Sequence, residues 1–311
     1  SHEIRTRQIE VAAPSNLLQA QLQLGERRMP RILFISDLHY GLDAGGDAAT
    51  ERLAEHLVRT ARPDDVLCVL GDVGSDPHTF RTCLEMFGQF PGPKCGVAGN
   101  HDIWVPEGEN SWDRLAETAK DFAANGFHAL EEAPLLLGPL AIVGTIGWYD
   151  GSFRDEIGVD AGDYERKYCP SLNTGWADAE HVRWDYTDAR FTEFTARKLE
   201  THLAMIPQTA TAICCTHHLP TRRLLHRPRW LVPKHWRFTN AFLGSDCYGT
   251  LLLGDSRARL AMSGHIHARR SYRSGAMVFA TVGGNYRDKE VVTWDGGKLR
   301  RLTFQPPKHR A

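Results

Sequence analysis

"VAGNHDIW", residues 97–104, is a short apolar run that stops abruptly at Gly99, Asn100, His101 and Asp102. An amide, an imidazole and a carboxylate in succession suit a tight turn, because Asn and Asp bond readily to nearby backbone. They suit equally a site at the edge of a sheet. The choice depends on whether other strands end the same way.

Four others do. "RILFIS" at 31–36 runs into Asp37-Leu38-His39, and "DVLCVL" at 65–70 into Gly71-Asp72. "TAICCT" at 211–216 runs into His217-His218, and "RLAMS" at 259–263 into Gly264-His265-Ile266-His267. Between the first three, "GDAATERLAEHLVRTAR" at 46–62 and "PHTFRTCLEMFGQF" at 77–90 carry apolar residues at helical spacing. This β-α-β-α-β rhythm predicts parallel strands joined by crossover helices. Ligands of open α/β sheets bind beyond the carboxyl ends of the strands. A turn with a capping aspartate explains any one of these stretches, and a surface His-x-His explains another. Five strands ending in carboxylates, imidazoles and an amide are better explained as one site.

The remainder follows the same grammar. A helix is expected at 111–125, then three short strands in "FHAL", "PLLLG" and "LAIVGTIG". Helices at 187–205 and 246–257 precede strands near 258–263, 268–273, 276–281, 289–295 and 298–304. Residues 1–30 are expected to be an extension packed on a main domain of residues 31–305. Residues 149–186 are aperiodic and rich in Gly, Asp and aromatics. They read as an insertion: a lid over the site, or an acidic loop that pairs with the basic, irregular segment 217–245.

Bulk composition narrows the class. With 311 residues, 42% hydrophobic and 24% charged, the chain is an ordinary globular one with ample core. A net charge of -1 offers no global field for nucleic acid or membrane. Seven Cys occur without a CxxC pair, and Cys68, Cys214 and Cys215 lie inside apolar strands. Reduced, buried thiols and a cytoplasmic location are expected. The longest apolar stretch, "APLLLGPLAIVGTIGW" at 133–148, is broken by Gly and Pro, so no membrane helix is expected.

"DLH", "GD", "GNHD", "HH" and "GHIH" together resemble the signature of the calcineurin-like metallophosphoesterase superfamily, over roughly residues 31–270. The resemblance implies a four-layer α/β/β/α sandwich with two central mixed β-sheets and a dinuclear metal centre at the C-terminal strand ends. By position, Asp37, His39 and His267 resemble ligands of one metal, and Asn100, His217 and His265 ligands of the other. Asp72 resembles the bridging carboxylate, His101 the catalytic histidine and Asp102 the acid that orients it. The donors are oxygen and nitrogen without thiolate, which suits two divalent ions among Mn, Fe, Zn and Ni. Adjacent residues on an extended segment point opposite ways, so His217 and His218 are not both ligands. His217 is taken as the ligand, and His218 is left to the substrate pocket or to packing behind the site.

The implied reaction is hydrolysis of a phosphate ester, with in-line attack by a metal-activated hydroxide and His101 assisting the leaving group. After His218, "LPTRRLLHRPRWLVPKHWRF" at 219–238 holds six cations and no acid, with Trp230 and Trp236 interleaved. Arg222 and Arg223 are therefore expected substrate contacts, and a small phosphodiester or nucleotide is the favoured substrate. The alternatives are a phosphomonoesterase or protein phosphatase, a nuclease, and a non-catalytic scaffold on the same fold. Nucleic acid is the less favoured partner, because only the local arginine cluster supports it. Oligomeric state is left open.

Overall fold

Each residue of β1 (Ile32–Ile35), β2 (Val66–Leu70) and β3 (Lys94–Val97) is buried. A strand buried on both faces needs a layer on each side, and a computed structural model of the chain supplies them. It describes residues 30–225 and 232–307. Residues 1–29 of the expected N-terminal extension, and Arg227, Arg229 and Trp230 of the basic segment, lie outside the described residues.

The elements follow in chain order. After β1 come α1 (Ala44–Thr60), β2, α2 (Pro77–Glu85), β3, α3 (Ser111–Ala124) and β4 (His128–Ala129). Then come β5 (Leu135–Leu137), β6 (Leu140–Thr145), α4 (Ala161–Glu165), β7 (Tyr168–Cys169), β8 (Thr174–Gly175) and α5 (Asp178–His181). Next are α6 (Asp188–Met205), β9 (Thr211–Thr216), α7 (Lys234–Thr239), α8 (Asp246–Gly254) and β10 (Ala258–Ser263). The chain closes with β11 (Ser271–Ser274), β12 (Met277–Thr281), β13 (Lys289–Trp294) and β14 (Leu299–Phe304).

Two six-stranded mixed sheets result, ordered β14-β13-β1-β2-β3-β4 and β11-β12-β10-β9-β6-β5. β1 through β4 are parallel neighbours, as are β6, β9, β10 and β12. Alternation along β1 sorts its side chains. Ile32 and Phe34 enter the layer between the sheets, with Leu70, Val97, Ile142, Ile213 and Met262. Leu33 and Ile35 face the other way, against Leu53, Leu57, Phe80 and Phe122 from α1, α2 and α3. The second sheet covers its outer face with Leu199, Leu203, Tyr248 and Leu252 from α6 and α8. The architecture is the expected α/β/β/α sandwich.

Helix starts follow local chemistry. Asp43 accepts from the Gly46 N–H, and Asp76 and Thr79 form a capping box with Pro77 at the first helical position. Cys68, Cys95 and Cys215 meet in the dry layer between the sheets, where they act as small apolar fillers. Burial raises the Cys68 and Cys215 thiols. Among the described residues no helix is long and apolar enough to cross a membrane.

Residues 149–186 hold α4, the β7–β8 ribbon and α5. Tyr149, Ile157, Tyr164 and Cys169 pack there with Trp148, Phe191, Phe238 and Phe242. This segment is also in contact with the basic one. Arg237 lies 3.5 Å from Asp155, Asn240 Nδ2 donates to Asp155 at 3.1 Å, and Arg222 donates to the Ser152 carbonyl.

Phe34 is fully buried between the sheets. Phe34→Ala should therefore cost about 3–5 kcal/mol of unfolding free energy by denaturant titration. A loss under about 1 kcal/mol would show that the two sheets do not close over this ring.

Candidate metal centre

The loops at the strand ends are strained, and the strain falls on ligand-type residues. Asp37, His39, Asp72, His265 and His267 have φ of 57°, 44°, 53°, 74° and 48°. Among the described residues, the other non-glycine positive φ angles belong to Lys167 and Asn173. Each such conformation costs on the order of 1–3 kcal/mol and persists only where its surroundings enforce it. Here the loops after β1 and β2 are zipped together. The N–H groups of Asp37, His39 and Tyr40 donate to the carbonyls of Gly71, Asp72 and Val73 at 3.1, 2.9 and 3.0 Å. Lys289, fully buried on β13, donates from Nζ to the Asp37 carbonyl at 3.2 Å.

Three groups of donors result: Asp37, His39 and His267; His39, Asp72 and His101; and Asp72, His217 and His265. Within each, the donor atoms lie inside 4.8 Å of one another. His267 Nε2 is 3.2 Å from His39 Nε2 and 3.3 Å from Asp37 Oδ1. Asp72 stands between the groups. Its Oδ1 accepts the His101 N–H at 3.0 Å, which leaves Oδ2 3.6 Å from His39 Nε2 and 3.3 Å from His217 Nε2. One oxygen therefore faces both groups.

The donors around His217 have no hydrogen to share. The His217 ring meets the Leu70 carbonyl through Nδ1 at 2.8 Å, which places the proton there and leaves Nε2 as a lone pair. Nε2 is 3.1 Å from Asn100 Oδ1 and 3.1 Å from His265 Nδ1. The other nitrogen of His265 faces the Phe242 carbonyl at 3.4 Å. Acceptors thus converge on a buried point, and only a positive charge satisfies them. Burial alone would push His217 down. The Asp72 and Asp37 carboxylates outweigh it and push the ring up to about 9, so a proton is drawn to this point when no cation holds it. Burial keeps His39 and His265 neutral, each pushed down to about 3, which is the protonation state a ligand requires. The oxygen and nitrogen set fits divalent cations.

His101 is partly exposed beside this cluster. Its ring stacks on Trp104 at 3.7 Å and meets His39 edge-on at 4.7 Å. Asp102 differs from its expected role of orienting that ring. Its Oδ1 accepts the Val73 N–H at 2.8 Å and its Oδ2 the Gly99 N–H at 2.8 Å. These bonds run to backbone, the Gly74 N–H at 3.4 Å among them, so Asp102 ties the loops after β2 and β3 together while Trp104 carries the His101 ring. Burial and the charge of Asp72 push Asp102 up to about 7, against those backbone donors. His218 is fully buried, 4.3 Å from the His265 ring and beside Trp148, with Nδ1 3.3 Å from the Ile146 carbonyl. It packs behind the ligands.

The arginines expected at the substrate have partners within the chain. Arg222 donates to Asp246 and to Ser152, and Arg223 lies over the Tyr272 ring at 5.7 Å. Four residues escaped the sequence reading: Trp104, Asp178, Tyr286 and Lys289. Tyr286 is 43% exposed and borders His39 and His267 at 4.6 and 4.8 Å. Trp104 closes the stretch 97–104 just beyond the signature, Tyr286 and Lys289 sit in no recognisable motif, and Asp178 lies in the aperiodic segment.

The family described as calcineurin-like phosphoesterase matches residues 30–269, more than half of the chain. No curated protein matches by sequence. Among solved structures, a phosphopantetheinyl hydrolase from Mycobacterium tuberculosis is similar at 20% identity and a TM-score of 0.64. The match covers 83% of this chain and 90% of that one. A dimetal phosphatase from Danio rerio is similar at 13% identity and a TM-score of 0.53, over 90% of this chain and 100% of that one. Identities this low show a shared fold.

Gly99 is packed against Asp72: a Cβ there would lie 2.1 Å from Asp72 Oδ1 and 2.4 Å from its backbone nitrogen. Gly99→Ala should displace the Asp72 carboxylate and weaken metal affinity about 10–100-fold in chelator competition. Unchanged affinity would mean that Asp72 is not a ligand.

Proposed function

The chain belongs to the calcineurin-like phosphoesterase family, and from that premise we propose that it hydrolyses a phosphodiester at a centre of two divalent cations. The observation that carries this reading is Asp72 Oδ2, which faces His39 and His217 at 3.6 and 3.3 Å and so lies between two sets of ligands. Asp37, His39 and His267 would hold one cation, Asn100, His217 and His265 the other, and Asp72 both. When bound, such a pair supplies a hydroxide nucleophile at neutral pH and neutralises charge that develops at phosphorus. His101 stands at the open side of the ligands and delivers a proton to the leaving oxygen. Trp104 keeps its ring in place.

The surroundings support a singly charged ester. Among the described residues, His101, Trp104 and Tyr286 set their rings against the ligands on their exposed side. Arg222 is held by Asp246 and Ser152 instead of standing free for a phosphomonoester dianion. These rings suit a small phosphodiester whose second ester group is apolar or aromatic, a diester of a nucleoside among them. Nucleic acid is less favoured, and the substrate is a small molecule. Six buried, reduced cysteines support a cytoplasmic setting.

Metal-stripped protein titrated with Mn²⁺, Fe²⁺, Zn²⁺ or Ni²⁺ should take up two ions per chain by elemental analysis; saturation at one would sink the dinuclear reading. His101→Ala should retain both ions and lose about 10²–10⁴-fold in kcat on a phosphodiester with an alcohol leaving group. The loss should be smaller with a nitrophenolate leaving group, which needs no proton. Equal losses would exclude His101 as the proton donor.

A further inference from the structure

Asp178 is 1% exposed and lies on α5, in the 149–186 segment. Its carboxylate accepts four hydrogen bonds. Oδ1 takes the Asn100 Nδ2 at 2.9 Å and the Trp104 Nε1 at 2.7 Å. Oδ2 takes the Tyr149 hydroxyl at 2.9 Å and the Trp176 Nε1 at 2.8 Å. An ionised carboxylate offers about four lone-pair sites and no donor, so all of its capacity is used. All four donors are neutral, and the buried carboxylate that gathers them bonds directly to Asn100 of the proposed cation site.

Two consequences follow for the metal centre. A group that only accepts forces the Asn100 NH₂ toward itself, and the amide oxygen then faces His217 Nε2 at 3.1 Å. Were the amide reversed, an NH₂ would point at the cation and an oxygen at the carboxylate. The same Oδ1 also anchors the indole on which His101 stacks. On the other side, Trp176, held by Oδ2, packs edge-on against His265 at 5.6 Å.

We propose that Asp178 is the positioning residue of this site: it turns the Asn100 oxygen toward the cation and, through Trp104, holds the His101 ring. The 149–186 segment is then a working part of the active site. The inference rests on the reading that Asn100 is a ligand.

Mn²⁺ titration of the metal-stripped full chain by calorimetry tests it without reference to turnover. Asp178→Asn supplies an NH₂ where two donors already point, and should weaken one of the two Mn²⁺ steps about 10–100-fold. Asn100→Asp sets two carboxylates against each other and should weaken the same step. The pair Asn100→Asp with Asp178→Asn reverses the hydrogen bond and again presents an oxygen to the cation, while the Trp104 N–H still faces the new NH₂. It should therefore recover part of the loss and bind Mn²⁺ more tightly than Asn100→Asp alone. Additive losses in the pair would overturn the proposal, because a merely structural Asp178 gives no rescue. If Asp178→Asn does not fold, Asn100→Asp compared with the pair decides the question in the same way: recovery in the pair supports the proposal, and its absence overturns it. Asn100→Ala separates the two readings: unchanged Mn²⁺ binding removes Asn100 as a ligand. Weakened binding there, beside an unaffected Asp178→Asn, removes only the positioning role. Trp104→Phe keeps the stacking ring but not the donor. It should leave Mn²⁺ binding intact and change the leaving-group dependence of kcat; an unchanged dependence overturns the His101 arm.

Discussion

Asp72 Oδ2, His217 Nε2, His265 Nδ1 and Asn100 Oδ1 are acceptors that face one another in a buried space. Buried acceptors without donors are costly, and the low local dielectric raises the cost. A positive charge among them reverses the sign of the whole arrangement. The left-handed Asp37, Asp72 and His265 add to that cost, and the hydrogen bonds between the loops enforce them.

The two sheets are what enforce this. Parallel β1, β2 and β3 end at one edge of the first sheet, and parallel β9 and β10 at one edge of the second. Gly264 N donates to the His217 carbonyl at 3.1 Å within the second sheet's edge, and inter-sheet packing brings the edges together, with His265 N donating to Asp37 Oδ1 at 3.0 Å. The second bond joins a loop of one sheet to a loop of the other. Gly99 permits the close approach that sets Asp72 between the two halves. A large, well-packed layer of Phe34, Leu70, Ile213 and Met262 thus supplies the rigidity that a strained, polar site cannot supply itself.

The exposed side of the site is built by different means. Aromatic stacking and one carboxylate do there what backbone pairing does at the strand ends. His101, Trp104 and His181 form a continuous stack, with ring separations of 3.7 and 4.5 Å. His181 and Asp178 lie on the same short helix, and the Val105 N–H donates to the His181 carbonyl at 3.0 Å. The segment is consequently bonded to the loop that carries Asn100 and His101 at several points. Its acidic residues also engage the basic stretch behind it, as Arg237 and Asp155 illustrate.

What the sequence by itself determined was local in origin. Apolar strand runs and helical spacing revealed the β-α-β order, and the chemistry at five strand ends, with its resemblance to a known signature, named Asp37, His39, Asp72, Asn100, His217, His265 and His267. Strand ends are legible because a parallel sheet converts neighbouring segments into one edge without further information. The tertiary structure decided the partners. Asp102 reads as the natural companion of the adjacent His101, yet its oxygens go to the backbone of Val73 and Gly99. Arg222 reads as a substrate contact, and its bond to Asp246, 24 residues away, has no signal in the sequence. Asp178 carried no signal, for its meaning lies in a hydrogen bond to Asn100 across 78 residues. Side-chain partnership depends on distances between remote segments, and these exist only once the two sheets have closed.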